Sequence, residues 1–141
     1  MGDTAYLTKR VTFSAMHQLL CEHFTDEENE KVFGKCFRVH GHDYFIEVTI
    51  KGKIDPKSGL ICDRDIFEDV LRNEITEKYN KSDLNKFFDN TTGENLAIHL
   101  YNLLIPKLKP IHLVCVRVQE TPKNFFVYGS EEIYLEPQRI F

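Results

Sequence analysis

Two stretches of this chain alternate apolar and polar residues with period two, and each carries histidine on its apolar parity. Between Leu7 and His17, the residues Leu7, Val11, Phe13, Ala15 and His17 share one side, while Thr8, Arg10, Thr12 and Ser14 take the other. From His40 the pattern returns, with His40, His42, Tyr44, Ile46, Val48 and Ile50 opposed to Glu47, Thr49 and Lys51. Successive strand side chains point to opposite faces, so this period predicts two half-buried strands rather than helices. It also turns His17, His40 and His42 toward a core, where a polar ring needs a partner.

Between these strands, Glu22 to Gly34 (EHFTDEENEKVFG) is polar and charged and reads as a loop with a turn of helix. Pro56 and Gly59 in the segment Lys53 to Gly59 signal a turn. Arg64 to Tyr79 reads as an amphipathic helix with an inward stripe of Ile66, Phe67, Val70, Leu71 and Ile75, and Asp63 and Asp65 complement the dipole at its start. A second helix spans about Thr92 to Pro106, with Leu96, Leu100, Leu103 and Leu104 inward, and Thr91-Thr92-Gly93-Glu94 fits a capping box. Leu113 to Glu120 is a strand with Val114, Val116, Val118 and Glu120 in phase, and Phe125 to Leu135 suggests a last hairpin around Gly129 and Ser130. The order strand, strand, helix, helix, strand, strand predicts an α+β fold: a four-stranded antiparallel sheet with two helices on one face, in a single domain over residues 1–141.

The charge pattern narrows the function. A net charge of -4 with scattered Lys and Arg offers no phosphate footprint, so nucleic acid is not an expected partner. No apolar run reaches the ~20 residues that span a bilayer, and MGDTAYLTKR lacks the apolar core of a signal peptide, which predicts a soluble, cytoplasmic chain with no membrane partner. Cys21, Cys36, Cys62 and Cys115 show no short paired spacing, so thiols are expected rather than disulfides. Cys62 and Cys115 lie in apolar segments and are expected to pack as small hydrophobes.

Two imidazoles on one strand face with a third on the neighbouring strand are the donor set of a Zn²⁺ site. Three protein ligands leave a coordination position for substrate or water, as a catalytic zinc requires. The alternative is that the three are core histidines satisfied by hydrogen bonds. Glu120, in phase with three valines, turns its carboxylate inward, a costly placement unless a ligand supplies donors.

The sequence resembles a known family at this point. Phe13-Ser14-Ala15-Met16-His17, Glu27-Glu28-Asn29, Phe33-Gly34-Lys35-Cys36 and His40-Gly41-His42 look like the signature of the 6-pyruvoyl- and 6-carboxy-tetrahydropterin synthases. Ile54-Asp55-Pro56, Thr92-Gly93-Glu94-Asn95-Leu96-Ala97 and Glu120-Thr121 match in order, so the resemblance covers nearly the whole chain. It implies the T-fold (tunnelling fold), an oligomeric barrel, usually a hexamer built as a dimer of trimers, with sites between subunits. It implies 7,8-dihydroneopterin triphosphate as substrate and Zn²⁺ on His17, His40 and His42. It further implies Cys36 as the base that removes a carbon-bound proton before triphosphate leaves, and Glu120 as the pterin anchor, with Thr121 beside it and Glu94 also at the pterin site.

The three residues between Cys36 and His40 resemble the 6-carboxy type of the queuosine pathway, whereas the charged segment Asp26-Glu27-Glu28-Asn29 resembles the pyruvoyl type of tetrahydrobiopterin synthesis. On that spacing the expected product is 6-carboxy-5,6,7,8-tetrahydropterin, with 6-pyruvoyl-tetrahydropterin as the alternative. The chain also departs from the family. Where family members carry an Asp-His pair between the two helices, Asn80 and Lys81 stand here. Three readings follow: Lys81 or water carries the proton, the product differs, or the chain binds zinc and pterin without turnover.

Overall fold

The computed structural model describes residues 2–130. β1 (Thr4–His17) and β2 (His40–Lys53) pair antiparallel along their whole length, with Leu7 opposite Ile50, Phe13 opposite Tyr44 and His17 opposite His40. Between them lie α1 (Asp26–Phe33) and a 3-10 turn (Gly34–Phe37). After β2 comes α2 (Arg64–Leu71), which continues through a π turn (Arg72–Thr76) into α3 (Glu77–Tyr79). The short β3 (Ser82–Asp83), α4 (Gly93–Leu108) and the hairpin of β4 (His112–Thr121) and β5 (Asn124–Gly129) complete the described chain.

The sheet order is β3-β1-β2-β4-β5. Its four long strands are antiparallel as expected; the correction is a fifth, two-residue strand, β3, running parallel to β1 at the edge. That strand is too short to leave a pattern in the sequence.

The expected strand parity holds: Phe13, Ala15 and His17 of β1 are buried while Thr12, Ser14 and Met16 are exposed. On β2 the side chains of Tyr44, Ile46, Val48 and Ile50 are fully buried against Phe67, Leu71 and Ile75 from the first helical segment and Leu96, Leu100 and Leu104 from α4. Ile66, expected inward, is 56% exposed, because α2 turns only its Phe67–Leu71 side fully to the sheet. Asp63 caps α2, its carboxylate accepting from the backbone N–H of Asp65 and Ile66.

One further expectation is corrected. The segment Glu22 to Gly34 is not mainly loop: α1 is a regular eight-residue helix, closed by a capping box between Thr25 and Glu28. A helix with so little apolar surface leaves no stripe in the sequence. The hairpin expected from Phe125 to Leu135 around Gly129 and Ser130 reaches past the described residues, which end at Ser130. Among the described residues, β4 and β5 form a hairpin that turns between Thr121 and Asn124, and Gly129 is the last residue of β5, opposite Cys115. A Cβ at Gly129 would stand 2.2 Å from the carbonyl oxygen of Val114, so this glycine marks a close backbone approach.

Candidate metal centre

The β1–β2 register assembles the histidines. His17 faces His40 across the pair, and His42 lies one alternation further on the same side of β2. Ring centroids are 4.5 Å apart for His17 and His40, 5.1 Å for His17 and His42, and 4.9 Å for His40 and His42. One nitrogen from each ring falls within 4.8 Å of the other two.

The surrounding hydrogen bonds fix which nitrogens are offered. Nδ1 of His17 donates to the carbonyl of buried Thr91 at 2.8 Å, and Nδ1 of His40 donates to the carbonyl of Arg38 at 2.7 Å. A carbonyl only accepts, so both rings carry hydrogen on Nδ1 and keep the Nε2 lone pair. Nε2 of His42 is buried with no hydrogen-bond partner among the described residues. Burial lowers the pKa of His17 to about 4, opposed by the Thr91 hydrogen bond and assisted by His40 and His42, and burial likewise lowers that of His42.

Glu120 completes the arrangement. Its carboxylate oxygens stand 4.0 Å from Nε2 of His17 and 3.8 Å from Nε2 of His42. With the His17 imidazole neutral and its hydrogen on Nδ1, its contact with Glu120 is not an ion pair but sets acceptor against acceptor. A space lined by imidazole lone pairs and a carboxylate, with one nitrogen orphaned, fits a cation, and nitrogen with oxygen donors suits Zn²⁺. Burial raises the pKa of the Glu120 carboxyl, nearby Glu94 raises it further, and His40 opposes both. Beneath the cluster, the buried Tyr44 hydroxyl lies 3.4 Å from each ring nitrogen of His17, and burial together with the Glu120 charge drives its pKa far upward.

The other expected site residues are distributed as follows. Glu94 stands exposed in the first turn of α4, near enough to Glu120 to act on its charge. It does not form the expected capping box: Thr92 is the cap, its hydroxyl accepting from the Asn95 N–H at 3.2 Å, while Thr91 turns inward to His17. Cys36 is half-buried in the 3-10 turn, whose carbonyl accepts from Leu19 N–H at 3.0 Å, and it is not one of the side chains in the histidine cluster. The Thr121 hydroxyl accepts from Lys123 and Asn124 N–H and closes the β4–β5 turn.

Lys81 lies on the outer flank of His42. It shares a groove of about 440 Å³ with Ser14, Asp43, His42 and Ser82. Its backbone is left-handed, φ 61°, unusual for a residue with a Cβ. Two bonds to Ser14 hold it there: Lys81 N–H donates to the Ser14 carbonyl at 2.6 Å, and the Asn80 side-chain carbonyl accepts from Ser14 N–H at 3.0 Å. The Ser14 hydroxyl is hydrogen-bonded to Asp43, its partner across the sheet.

Thr91, Tyr44 and Asp43 were not singled out as site residues. Tyr44 and Asp43 follow His42 directly, so strand parity could have placed one beneath the histidines and the other on the opposite face. Thr91 acts through its carbonyl, which leaves no mark on residue choice.

Comparison with known proteins agrees with this geometry. The family model described as 6-pyruvoyl tetrahydropterin synthase matches residues 6–131. A 6-pyruvoyl tetrahydrobiopterin synthase of Drosophila melanogaster is 39% identical over 132 residues, covering 88% of this chain and 79% of the relative. The structure of Caenorhabditis elegans 6-pyruvoyl tetrahydropterin synthase superposes with a TM-score of 0.86 at 29% identity, over 92% of this chain and 98% of that one. A 6-carboxy-5,6,7,8-tetrahydropterin synthase of Rickettsia bellii is more distant, 26% identical over 141 residues, covering 84% of this chain and 95% of the relative. Similarity therefore runs more strongly to the pyruvoyl type than to the carboxy type that the Cys36–His40 spacing favoured. By that match and these identities, the chain belongs to the 6-pyruvoyl tetrahydropterin synthase family.

Proposed function

We propose that this chain is a zinc-dependent lyase that converts 7,8-dihydroneopterin triphosphate to 6-pyruvoyl-tetrahydropterin. The observation that carries the reading is the His17, His40 and His42 cluster, with two tautomers fixed by backbone carbonyls, one nitrogen orphaned and Glu120 turned toward it. Zinc bound by the three imidazoles would supply Lewis-acid polarisation of the substrate side-chain hydroxyls.

The protein groups divide the remaining work. Glu120 holds the pterin through donors on its guanidine-like edge, a pairing a fixed carboxylate makes in bidentate fashion. Glu94 flanks the same carboxylate. Cys36, as thiolate, takes the carbon-bound proton; the electron pair left behind expels the triphosphate as its C–O bond breaks. Lys81, held on the His42 flank, carries a proton in the later rearrangement. The chain acts in the cytoplasm as a homo-oligomer, a dimer of trimers, in this reading.

The carboxy-forming reading keeps one specific support, the three-residue spacing between Cys36 and His40. A binding-only reading rests on Asn80 and Lys81, since Asn80 is committed to the Ser14 backbone. Incubating the zinc-loaded protein with 7,8-dihydroneopterin triphosphate, with products resolved by mass spectrometry beside a Cys36→Ala control, separates the three. The pyruvoyl product, lost in the control, is expected. Carboxy-tetrahydropterin with acetaldehyde would establish the second reading, and bound but unconverted pterin the third.

A further inference from the structure

A second cleft lies at the far end of the sheet from the histidines. β2 leads from His42 at the metal centre to Lys51 and Gly52 at this cleft, roughly 30 Å of extended strand. The cleft has a volume of about 560 Å³, in the range of small-molecule sites.

Its inner lining is apolar. Ile61, Cys62 and Val70 are partly buried against the core and Leu108 is 2% exposed. Ile66 forms an outer wall and is 56% exposed, the apolar residue of α2 that the sheet does not cover. The floor is built in place: a Cβ on Gly52 would stand 2.9 Å from the carbonyl oxygen of Ile61, so the Ile61–Cys62 segment packs directly on the end of β2.

Charge at this cleft opposes that of the whole chain. The protein carries a net charge of -4, yet Lys51, Lys107 and Lys109 all line the cleft and Asp63 is the single acidic residue among its described lining. Lys107 and Lys109 are exposed around the end of α4, and Lys107 reaches Glu74 at 3.7 Å. Cations at a helix C-terminus are favourable on dipole grounds alone, but the dipole does not account for an open apolar wall beside them.

We propose that this cleft is a second binding site, for a small anion-headed molecule with an apolar body. The body lies against Ile61, Ile66 and Val70, and the head sits between Lys107 and Lys109. The site is independent of the histidine cluster and of the pterin reading.

The test titrates the full-length protein with anilinonaphthalene sulfonate, an anionic apolar fluorophore, and then displaces it with decanoate or with decanol. Ile66→Glu removes the wall without touching the buried core, and Lys107→Gln with Lys109→Gln removes the head contacts. One probe per chain is expected, displaced by decanoate and not by decanol, with affinity about tenfold weaker in each variant. Maleimide labelling of Cys62, read by peptide mass spectrometry, should slow on binding while labelling of Cys36 is unchanged. Probe binding that both variants leave intact, equal displacement by decanol, or unprotected Cys62 would each overturn the proposal.

Discussion

His17 and His40 face each other across the β1–β2 pair, and each gives its Nδ1 hydrogen to a backbone carbonyl, Thr91 for one and Arg38 for the other. Both rings are thereby oriented by parts of the chain outside the sheet. The geometry of this candidate metal site depends on the loop before α4 and on the turn before β2 as much as on the strands.

Removing a ring should remove the metal. His17→Ala or His42→Ala is expected to reduce bound zinc from one per chain to a small fraction, with circular dichroism unchanged. Metal content after dialysis checks this, and full occupancy in either variant would contradict the assignment.

Without metal, acid should weaken the fold. The folded His17 titrates at about 4 because of burial, against 6.5 for the unfolded residue. Between those values the unfolded chain binds the extra proton, so stability present above pH 6.5 is lost as pH falls toward 4. The slope from this group approaches ~1.4 kcal/mol per pH unit. Urea unfolding of the metal-free protein across that window measures it, and a His17→Gln variant should show a flatter profile.

Gly93→Ala should disturb the site through packing. A Cβ there would stand 2.1 Å from the Phe126 ring, which forces a shift at the start of α4 beside Thr91. A loss of about 1–3 kcal/mol is expected, accompanied by weaker zinc binding. Thermal melts with and without zinc read both effects.

Lys81→Gly separates backbone from amine. Glycine accepts the left-handed φ at no cost, so stability should hold or rise, while removal of a proton carrier should lower turnover by about 10² or more. Steady-state kinetics decide it: unchanged kcat would make Lys81 a turn residue only.

The sequence showed the strands and the histidines because period-two alternation reports directly which face a side chain takes. The same alternation puts His17, His40, His42 and Glu120 on one face, where His17 is buried and the other three are half-buried. What stayed hidden acts through the backbone or depends on exact fit. The Thr91 carbonyl, the two-residue β3 and the approach of Gly129 to Val114 leave no pattern, and the cap of α4 shifted one residue from its expected place because Thr91 and Thr92 are equally good caps. Ile66 misled for a related reason: periodicity places a residue on a helix face without telling how wide a stripe the sheet covers.

If the three imidazoles hold the zinc on which the elimination depends, stripping that zinc abolishes triphosphate release. Triphosphate release from 7,8-dihydroneopterin triphosphate should be measured on the same sample before chelation, after chelation, and after zinc is returned. Activity lost on stripping and recovered with zinc is the expected result; equal release from the stripped protein would contradict the account.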